Sequence, residues 1–566
     1  MSAQFDPILG QMRDGAVTLA EQTAGYNKGS AAEKAAFQSS VSGGSTIAAK
    51  LRDNPWQLLP GGSYTLSVGT TSGSATITSA ANGFTAAMVG MGIVGAGIPV
   101  NATVLSVGTA GSATLSASAT ATATVSAILS IVVIGTTNPN SAGVLHAATT
   151  GSTDVNVSPV SFSLFGARKF VQLGTQYFPD YGYIKATHVT TGSPSAVGSN
   201  FTRVSANFSG LSITCALKGV GTQFFVKFNN QYVSLTPHNI GTDTTVKYFT
   251  INFPTLVSGR IDLIFDSNMA LGGFWIPATA TLTPAVRRGP VAVLIGDSFG
   301  EGNTGTTGES SLWGFANIIA ELLGWDDLIV SAVGSTGFLA GTSPKGTYRA
   351  RIQYDLIDLQ PQVCIASLSI NDTGSSASAL MAEIALFDAA AKAGVSGIKM
   401  IYLSPTISKG AGAWVGTTAA QHDAAKTAIP ALGSTYVSDI EMPITGGISP
   451  QVAATSGAIT ANATTFTSTK TLQAGGTYRF ADGTRFYVKS AAGTFTTVDK
   501  IATAQLAGAT FTQVGSCYLV GTGRLGATSG FGNCDVNVGP DNTHPSKNGH
   551  MDKGTADAHL LCAVLP

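Results

Sequence analysis

The sequence predicts a multidomain protein in which all-β modules precede an α/β domain that carries a β-rich insertion. Three observations predict this order. Short runs that alternate β-branched and small polar residues, separated by glycine, fill much of the chain between residues 63 and 288. From residue 289, continuous apolar runs alternate with helix-forming stretches, which is the pattern of a parallel sheet covered by helices. Between residues 446 and 533 the β-type pattern returns.

The composition limits the classes of function. Only 11% of the 566 residues are charged, against about 25% in an average domain. Thirty Lys and Arg residues balance thirty Asp and Glu residues, and they are scattered, which argues against a nucleic-acid-binding surface. With 44% hydrophobic residues the chain has ample material for packed cores. The 68 glycines, with abundant Ser, Thr and Ala, favour β-structure kept soluble by hydroxyl groups and by assembly.

Targeting and redox signals are absent from the sequence. The first residues lack a basic segment followed by an apolar core, and no run of about 18 apolar residues occurs, so we expect neither a secretory signal nor membrane insertion. Five widely spaced cysteines argue against a disulfide framework, and no His/Cys cluster has zinc spacing. We therefore expect synthesis in a reducing cytoplasm, with no metal and no cofactor.

The N-terminal part divides into three predicted segments. Residues 1–60 are predicted to be helical, because Ala16–Gln22 and Ser30–Val41 are rich in good helix formers. Either a small helical cap or an attachment segment to a larger assembly fits them. Residues 61–136 are predicted to be an all-β module, and residues 137–158 a turn-rich linker.

One stretch of the all-β module resembles a known structural module. Gly95–Thr124 reads GAGIPVNATVLSVGTAGSATLSASATATAT, in which a Gly-Ile-Pro turn precedes a strand and a Thr-Leu-Ser strand ends in an Ala-Thr run. This pattern resembles a module of many bacteriophage tail and virion structural proteins. The alternative is an ordinary β-module rich in Thr, Ser and Ala.

Residues 159–288 are predicted to form a jelly-roll β-sandwich, because turns recur at intervals of about 8–12 residues. Segments 202–210 and 212–219 are predicted to be two strands, as are 247–253 and 259–267. The order of these segments resembles the jelly-roll domain that precedes the catalytic domain in some carbohydrate esterases.

The α/β domain is predicted to comprise residues 289–445 and 534–566, with residues 446–533 as its β-rich insertion. Its predicted strands and helices alternate along the chain. The strands are Val291–Ile295, Asp327–Val330, Val363–Leu368 and Lys399–Leu403, and the helices are Leu312–Leu323, Ala379–Ala393 and Gly549–Leu565.

Four short motifs lie where these elements begin or end. Gly296–Gly302 (GDSFGEG), Val333–Gly337 (VGSTG) and Ser369–Asp372 (SIND) each follow a predicted strand, and Asp541–Pro545 (DNTHP) precedes the last helix. Because the carboxyl ends of parallel strands meet at one edge of a sheet, we expect the motifs to lie together there.

The residue types in these motifs suit acyl transfer. A serine at a strand-to-helix turn, Ser298, needs a base, and His544 can serve with Asp541 orienting its imidazole. The backbone N–H groups of Ser298 and Gly334 and the side-chain amide of Asn371 are predicted donors for a tetrahedral oxyanion.

The four motifs in this order resemble the SGNH/GDSL hydrolase family, whose name lists its Ser, Gly, Asn and His. The resemblance covers 289–445 and 534–566, and it implies a three-layer, flavodoxin-like parallel sheet and serine esterase activity. It implies that Ser298 is the nucleophile and that Gly334 and Asn371 are two further oxyanion donors. It also implies that Asp541 and His544 complete the catalytic triad.

The sequence departs from the family pattern in three places. Phe299 replaces the leucine of GDSL, and Ser369 replaces a glycine, which predicts a slightly narrower site. Ala332 stands where an asparagine is common, so Gly337 competes with Gly334 for the role of oxyanion donor.

Several residues carry open alternatives. His550 is a rival base, although the Asp-x-x-His spacing favours His544. Asp372 is expected to orient its loop. Trp313 and Trp414 are candidate cleft residues. Four aromatic residues suit either sugar stacking or, as we favour, the jelly-roll core: Phe224, Phe225, Phe228 and Tyr232.

The function predicted from the sequence is an esterase that removes O-acetyl groups from a bacterial surface polysaccharide. The virion-like module predicts a phage tail fibre or tailspike, made in the host cytoplasm, that acts at the host surface. Its expected partners are the acetylated polysaccharide, other tail proteins and two further copies of itself in a homotrimer. The alternatives are a non-catalytic glycan-binding virion protein and a lipase or thioesterase of the same fold.

Overall fold

The structure is a computed structural model in which the chain divides into two compact units. One unit comprises Pro55–Thr187 and Phe201–Arg287, and the other Met1–Asn54, His188–Asn200 and Arg288–Pro566. The structure describes residues 3–6, 11–14, 56–79, 83–99, 102–108, 111–147, 160–166, 169–172, 184–187, 202–218, 223–240, 245–266, 270–305, 311–341, 345–404, 416–438, 451–472, 476–516, 539–541 and 543–565.

Two short antiparallel strands are described near the start of the chain, where the sequence predicted a helical segment. They are β1 (Ala3–Asp6) and β2 (Gln11–Asp14). The predicted helices at Ala16–Gln22 and Ser30–Val41 lie outside the described residues.

The predicted all-β module contains a six-stranded sheet whose described pairs are all antiparallel. The strands lie in the order β5-β8-β3-β4-β7-β6. Their bounds are β3 Ser63–Thr70, β4 Thr76–Thr78, β5 Gly92–Val94, β6 Val104–Val107, β7 Ser112–Leu115 and β8 Ala123–Ser130.

A second, twelve-stranded sheet follows, again with antiparallel pairs only among the described strands. Its strands are β9 Val132–Gly135, β10 Val144–Ala147, β11 Ser163–Phe165, β12 Lys169–Gln172, β13 Ile184–Thr187, β14 Thr202–Lys218, β15 Gln223–Phe228, β16 Gln231–Tyr232, β17 His238–Asn239, β18 Lys247–Phe265, β19 Ala270–Ile276 and β20 Thr281–Pro284. β10 pairs with β19, so part of the segment predicted to be a linker belongs to the sheet.

The two longest strands differ from the prediction. The sequence predicted four shorter strands, whereas β14 has 17 residues and β18 has 19. The register between them shifts at Gly210 and Ser212. Gly210 is paired with Val257 and Ser212 with Asn252, so the pairing resumes after this irregularity and Gly210 does not end the strand.

One apolar cluster is shared by the two sheets of this unit, with Val68 and Leu129 from the first sheet and Phe208 and Phe224 from the second. Phe224 is fully buried, and its ring centroid lies 4.9 Å from that of Phe249. The four aromatic residues considered for sugar stacking are all buried, which makes them core: Phe224, Phe225, Phe228 and Tyr232.

The other unit contains a five-stranded parallel sheet in the order β22-β21-β23-β24-β25. Its elements are β21 Val291–Gly296, α1 Phe315–Leu323, β22 Asp327–Ala332, α2 Tyr348–Asp355, β23 Val363–Ser367, α3 Ala377–Gly394, β24 Lys399–Leu403, α4 Gly416–Ala431, β25 Thr435–Val437 and α5 Lys547–Val564. The strand order reverses at β21, and open α/β sheets bind ligands outside the carboxyl ends of strands at such a point.

Local sequence explains where the helices of this unit begin and end. Ser376 and Ser546 cap α3 and α5 by accepting hydrogen bonds from the third residue beyond them. α1 ends at Gly324 in the left-handed conformation. α2 and α4 were not predicted, because YRARIQYD has no apolar face and α4 contains Pro430. No helix in the described part of the chain is long and apolar enough to span a bilayer.

The predicted insertion contains a six-stranded sheet in the order β26-β31-β28-β29-β30-β27. Its strands are β26 Val452–Ala454, β27 Ala463–Thr467, β28 Gly476–Phe480, β29 Arg485–Ala492, β30 Phe495–Ile501 and β31 Thr510–Ser516. The insertion also contacts α4, because Tyr487 Oη donates a hydrogen bond to Asp423 and Lys489 forms an ion pair with the same carboxylate.

Replacing Phe511 with alanine is expected to destabilise the insertion. Phe511 is 1% exposed and its ring contacts Phe466, Tyr478 and Phe486. Its loss leaves a cavity, which costs about 3–5 kcal/mol of unfolding free energy. Urea denaturation followed by circular dichroism measures this. Phe495, 51% exposed in the same sheet, is the matched control; equal effects of the two alanine substitutions would contradict the core assignment.

Candidate active site

The first motif forms a tight turn at the carboxyl end of β21. Glu301 N donates to Asp297 O (3.1 Å) and Asn303 N donates to Ser298 O (3.2 Å). Ser298 is half-buried at the start of this turn. Within the described ranges, its backbone N–H and its hydroxyl have no hydrogen-bond partner.

Asp297 is a buried carboxylate that joins the first motif to the third. Its Oδ1 accepts from Phe299 N (2.9 Å), and its Oδ2 accepts from Ser369 Oγ (2.7 Å) and Ile370 N (3.2 Å). Burial raises the pKa of Asp297, and these hydrogen bonds partly oppose that rise. The carboxylate thus holds the loops after β21 and β23 together.

Ser369 extends this link to the second motif. Its side chain is 2% exposed, and its hydroxyl lies 2.8 Å from the carbonyl oxygen of Thr336 as well as 2.7 Å from Asp297. The sequence predicted that a serine at this position narrows the site. Instead the hydroxyl is buried, where it joins three loops.

Gly334, in the second motif, lies close to Ser298. A Cβ added to Gly334 would lie 3.4 Å from Ser298 Cβ. Ser335, which follows, has a φ of 65°, an uncommon left-handed conformation for a residue with a side chain. The Gly334 N–H donates to Glu301 Oε1 at 2.7 Å.

Gly337, the alternative candidate for the oxyanion donor, has different surroundings from Gly334. Its N–H donates to Ala340 O at 2.8 Å, inside a turn, and a Cβ on Gly337 would collide with the carboxylate of Asp372. That carboxylate accepts from the backbone N–H groups of Phe338, Leu339 and Ala340. Asp372 therefore orients this loop, and the geometry favours Gly334 over Gly337 as the donor near Ser298.

The side chain of Asn371 is exposed, but its amide nitrogen is hydrogen-bonded to neighbouring residues. Its Nδ2 donates to Thr336 O (3.0 Å) and to Ser369 Oγ (3.1 Å). α4 holds the following residues, since Gln421 Nε2 donates to the carbonyl oxygens of Asp372 and Ser375, each at 2.8 Å. The amide that the sequence predicted to face an oxyanion is thus engaged within the loop.

Asp541 and His544 form a close pair in the loop before α5. His544 Nδ1 and Asp541 Oδ2 are 2.5 Å apart, and Asp541 Oδ1 accepts from the backbone N–H groups of Thr543 and His544. Burial opposes ionisation of Asp541, but these hydrogen bonds outweigh it and leave its pKa below the usual range. An ionised Asp541 keeps the proton on His544 Nδ1, which leaves Nε2 as a proton acceptor.

Two residues place this pair beside the first motif. The ring of Phe299 lies edge-to-face with that of His544, with centroids 5.7 Å apart. Gly305, with a φ of 68°, backs directly onto Asp541, and a Cβ there would lie 2.5 Å from Asp541 Cγ. Sequence reasoning missed Gly305, because nothing in the local sequence distinguishes it from other turn glycines.

His550, the rival base, is buried beneath the first motif. Its Nδ1 accepts from Phe315 N (3.2 Å), and its Nε2 lies 3.0 Å from the acceptor Asn303 O. Burial lowers the pKa of His550 to about 4, so the ring is neutral at pH 7. With both nitrogens engaged by backbone, His550 supports the turn that carries Ser298.

Of the two tryptophans considered as cleft residues, only Trp313 is among the described residues, and it is buried. Trp313 is 6% exposed, and Lys547 Nζ lies 3.6 Å from its ring centroid. Trp414 lies outside the described residues. In the described part of the chain no group of three or more His, Cys, Asp or Glu side chains is arranged to hold a metal ion.

Comparisons with known proteins give partial likenesses. No protein-family model matches this chain, and no curated protein matches it. A family two carbohydrate esterase from Cellvibrio japonicus is 14% identical, with 52% of this chain and 89% of that chain covered and a TM-score of 0.34. An acetyl xylan esterase from Butyrivibrio proteoclasticus is 11% identical (50% and 87% covered, TM-score 0.35). A salicylyl acyltransferase from a tetracycline biosynthetic pathway is 10% identical (52% and 89% covered, TM-score 0.39).

Replacing Gly305 with alanine is expected to separate Asp541 from His544, because the new Cβ would occupy the space of the carboxylate. If Asp541 and His544 act as the sequence predicts, turnover of p-nitrophenyl acetate is expected to fall by about 10²-fold or more, since a displaced carboxylate no longer orients the imidazole. Gly397 is the matched control, with a φ of 72° and nothing within 4 Å of an added Cβ. If Gly305→Ala and Gly397→Ala have the same turnover, the proposed role of Gly305 is wrong.

Proposed function

We propose that this chain is a serine ester hydrolase of the SGNH type. The observation that carries the proposal is the Asp541–His544 pair, which packs against Phe299 next to Ser298. The closeness of Gly334 to Ser298 supports an oxyanion site that includes the Gly334 N–H. A nucleophile, an oriented base and backbone donors at one edge of a parallel sheet suit acyl transfer.

In the proposed reaction, Ser298 Oγ attacks the ester carbonyl carbon while His544 Nε2 takes the hydroxyl proton. Asp541 stabilises the imidazolium through the short contact to Nδ1. His544 then gives the proton to the leaving alcohol, which leaves an acyl-enzyme on Ser298. Water, activated by the same imidazole, attacks this acyl group and releases the carboxylic acid.

The tetrahedral oxyanion would be held by the N–H groups of Ser298 and Gly334, with Asn371 as the third proposed donor. The Ser298 N–H is available, the Gly334 N–H is bonded to Glu301, and the Asn371 amide is bonded to Thr336 O. Ser298 and His544 form no direct hydrogen bond within the described part of the chain. Such contacts are often long before substrate binds and tighten in the reactive complex.

We further propose that the substrate is an O-acetylated polysaccharide on a bacterial surface, and that the chain is a trimeric phage tail fibre or tailspike. The low charge and the abundance of Gly, Ser and Thr support this proposal, because they suit β-interfaces buried between chains. The virion-like sequence of Gly95–Thr124 also supports it. A jelly roll before a flavodoxin-like hydrolase domain is the architecture we propose.

A second candidate function is non-catalytic glycan binding by the same site. The observation that favours it is that two proposed oxyanion donors have partners already, Gly334 with Glu301 and Asn371 with Thr336. If the Gly334 N–H and the Asn371 amide kept these partners, they could not stabilise an oxyanion. The site would then bind a glycan without hydrolysing its esters.

Substitution of Ser298 by alanine separates the two candidates. We expect wild-type protein to release acetate from acetylated bacterial polysaccharide and from p-nitrophenyl acetate, and Ser298→Ala to lower the rate by at least about 10³-fold, because the nucleophile is lost. Ser378→Ala, at an exposed position of α3, is the control and is expected to leave the rate unchanged.

Binding measured on the same proteins completes this test. Glycan binding by wild type and Ser298→Ala, with no Ser298-dependent acetate release from any ester, would reject the hydrolase and support the second candidate. A preference for long-chain acyl esters would retain the hydrolase but reject the polysaccharide substrate.

The tailspike proposal has its own test. Multi-angle light scattering of the full chain is expected to give three times the 57.3 kDa mass of one chain. A monomer across the micromolar range would reject the trimer and would leave the esterase proposal unaffected.

A further inference from the structure

Glu301 stands three residues after Ser298, and its side chain turns back toward the proposed oxyanion site. Its Oε1 accepts the Gly334 N–H at 2.7 Å. Its Oε2 lies 3.1 Å from the position of a Cβ added to Gly334, and Ser298 Cβ lies 3.4 Å from that same position. The carboxylate and the nucleophile's side chain therefore meet on one face of Gly334.

We propose that Glu301 is an autoinhibitory residue whose carboxylate fills the Gly334 donor position and must be displaced by the carbonyl oxygen of the substrate. This inference rests on the proposed esterase function. It adds a residue that none of the four motifs' expected roles includes.

The physical reason is competition for one N–H group. A carboxylate is a stronger acceptor than an ester carbonyl, because hydrogen bonds to an ionised group are roughly twice as strong as neutral ones. The oxyanion that forms during attack carries the same charge as Glu301, so the two cannot share the Gly334 N–H. While Glu301 remains ionised and in place, one donor is missing, and one donor typically accounts for about 10²–10³-fold in rate.

The surroundings of Glu301 provide a route for its displacement. Lys345 Nζ donates to Gly334 O at 2.9 Å, and its ammonium group has two further protons that can receive the displaced carboxylate. Among the described residues, the charged or titratable groups that act electrostatically on Glu301 are Lys345, Asp297 and His544. Burial raises the pKa of Glu301, and the Gly334 hydrogen bond and Lys345 partly oppose that rise.

The test compares Glu301→Gln and Glu301→Ala with wild type. Glutamine keeps the shape of the side chain but removes its charge, and alanine vacates the position. We expect both variants to raise kcat/KM for p-nitrophenyl acetate by about 10-fold at pH 7, because the charge-assisted hydrogen bond no longer has to be broken. The second-order rate of phosphonylation of Ser298 by a fluorophosphonate should rise in parallel. Glu383→Gln, which removes a carboxylate paired with Arg349 on α2, is the matched control and should change neither rate.

The pH profile distinguishes inhibition from a structural role. The raised pKa means that wild-type Glu301 becomes neutral as the pH falls, and a neutral Glu301 competes no better than glutamine. The ratio of the Glu301→Gln rate to the wild-type rate is therefore expected to decrease toward one as the pH is lowered. A residue that only supports the fold would give a ratio that does not change with pH, together with a lower unfolding temperature.

The outcomes separate this inference from the proposed function. Reaction rates of both variants equal to or below wild type, with Ser298-dependent turnover intact, would overturn the inference alone. Absence of turnover and of phosphonylation in wild type and in both variants would overturn the esterase proposal and the inference together. If Glu301→Ala does not fold, the isosteric Glu301→Gln decides the result.

Discussion

The candidate site depends on the hydrogen bond between the Asp297 carboxylate and the Ser369 hydroxyl, 2.7 Å long and buried. It joins loops from two parallel strands, and Asn371 Nδ2 joins the second of these loops to a third by donating to Thr336 O. A buried carboxylate without donors is costly, so this arrangement tolerates little rearrangement. Ser298 is the residue after Asp297, and Asn371 lies two residues after Ser369, so this link fixes the positions of these two proposed catalytic residues relative to each other.

The insertion also helps to hold the loop that carries Asn371. Its sheet contacts α4 through Tyr487 and Lys489, which both bond to Asp423. α4 in turn holds the loop after Asn371 through Gln421. Ile370, next to Asn371, packs against the apolar core of the insertion. A module that interrupts the α/β domain in sequence is therefore part of the support for its candidate site.

The sequence predicted four of the five strands of the parallel sheet, because each of the four is a continuous apolar run. It missed β25, α2 and α4; the residues of α2, for example, carry no apolar periodicity. It also divided β14 and β18, because a glycine within a strand, such as Gly210, resembles a turn residue in sequence. The sequence predicted the residues of the four motifs because each motif is a run of consecutive residues. The contacts of Asp297 with Ser369 and of Glu301 with Gly334 were not found, since they join residues 72 and 33 positions apart.

The order of these groups along the chain bears on biosynthesis. Ser298 lies in the turn that follows β21, the first strand of the parallel sheet along the chain, whereas Asp541 and His544 come after the whole insertion and immediately before α5. α5 approaches α1 closely at Gly554, where a Cβ would lie 2.7 Å from Ile318 Cβ. A ribosome-bound nascent chain thus contains Ser298 for more than two hundred residues before His544 is added. If the two act as proposed, Ser298 has no base to activate it until α5 has emerged and docked.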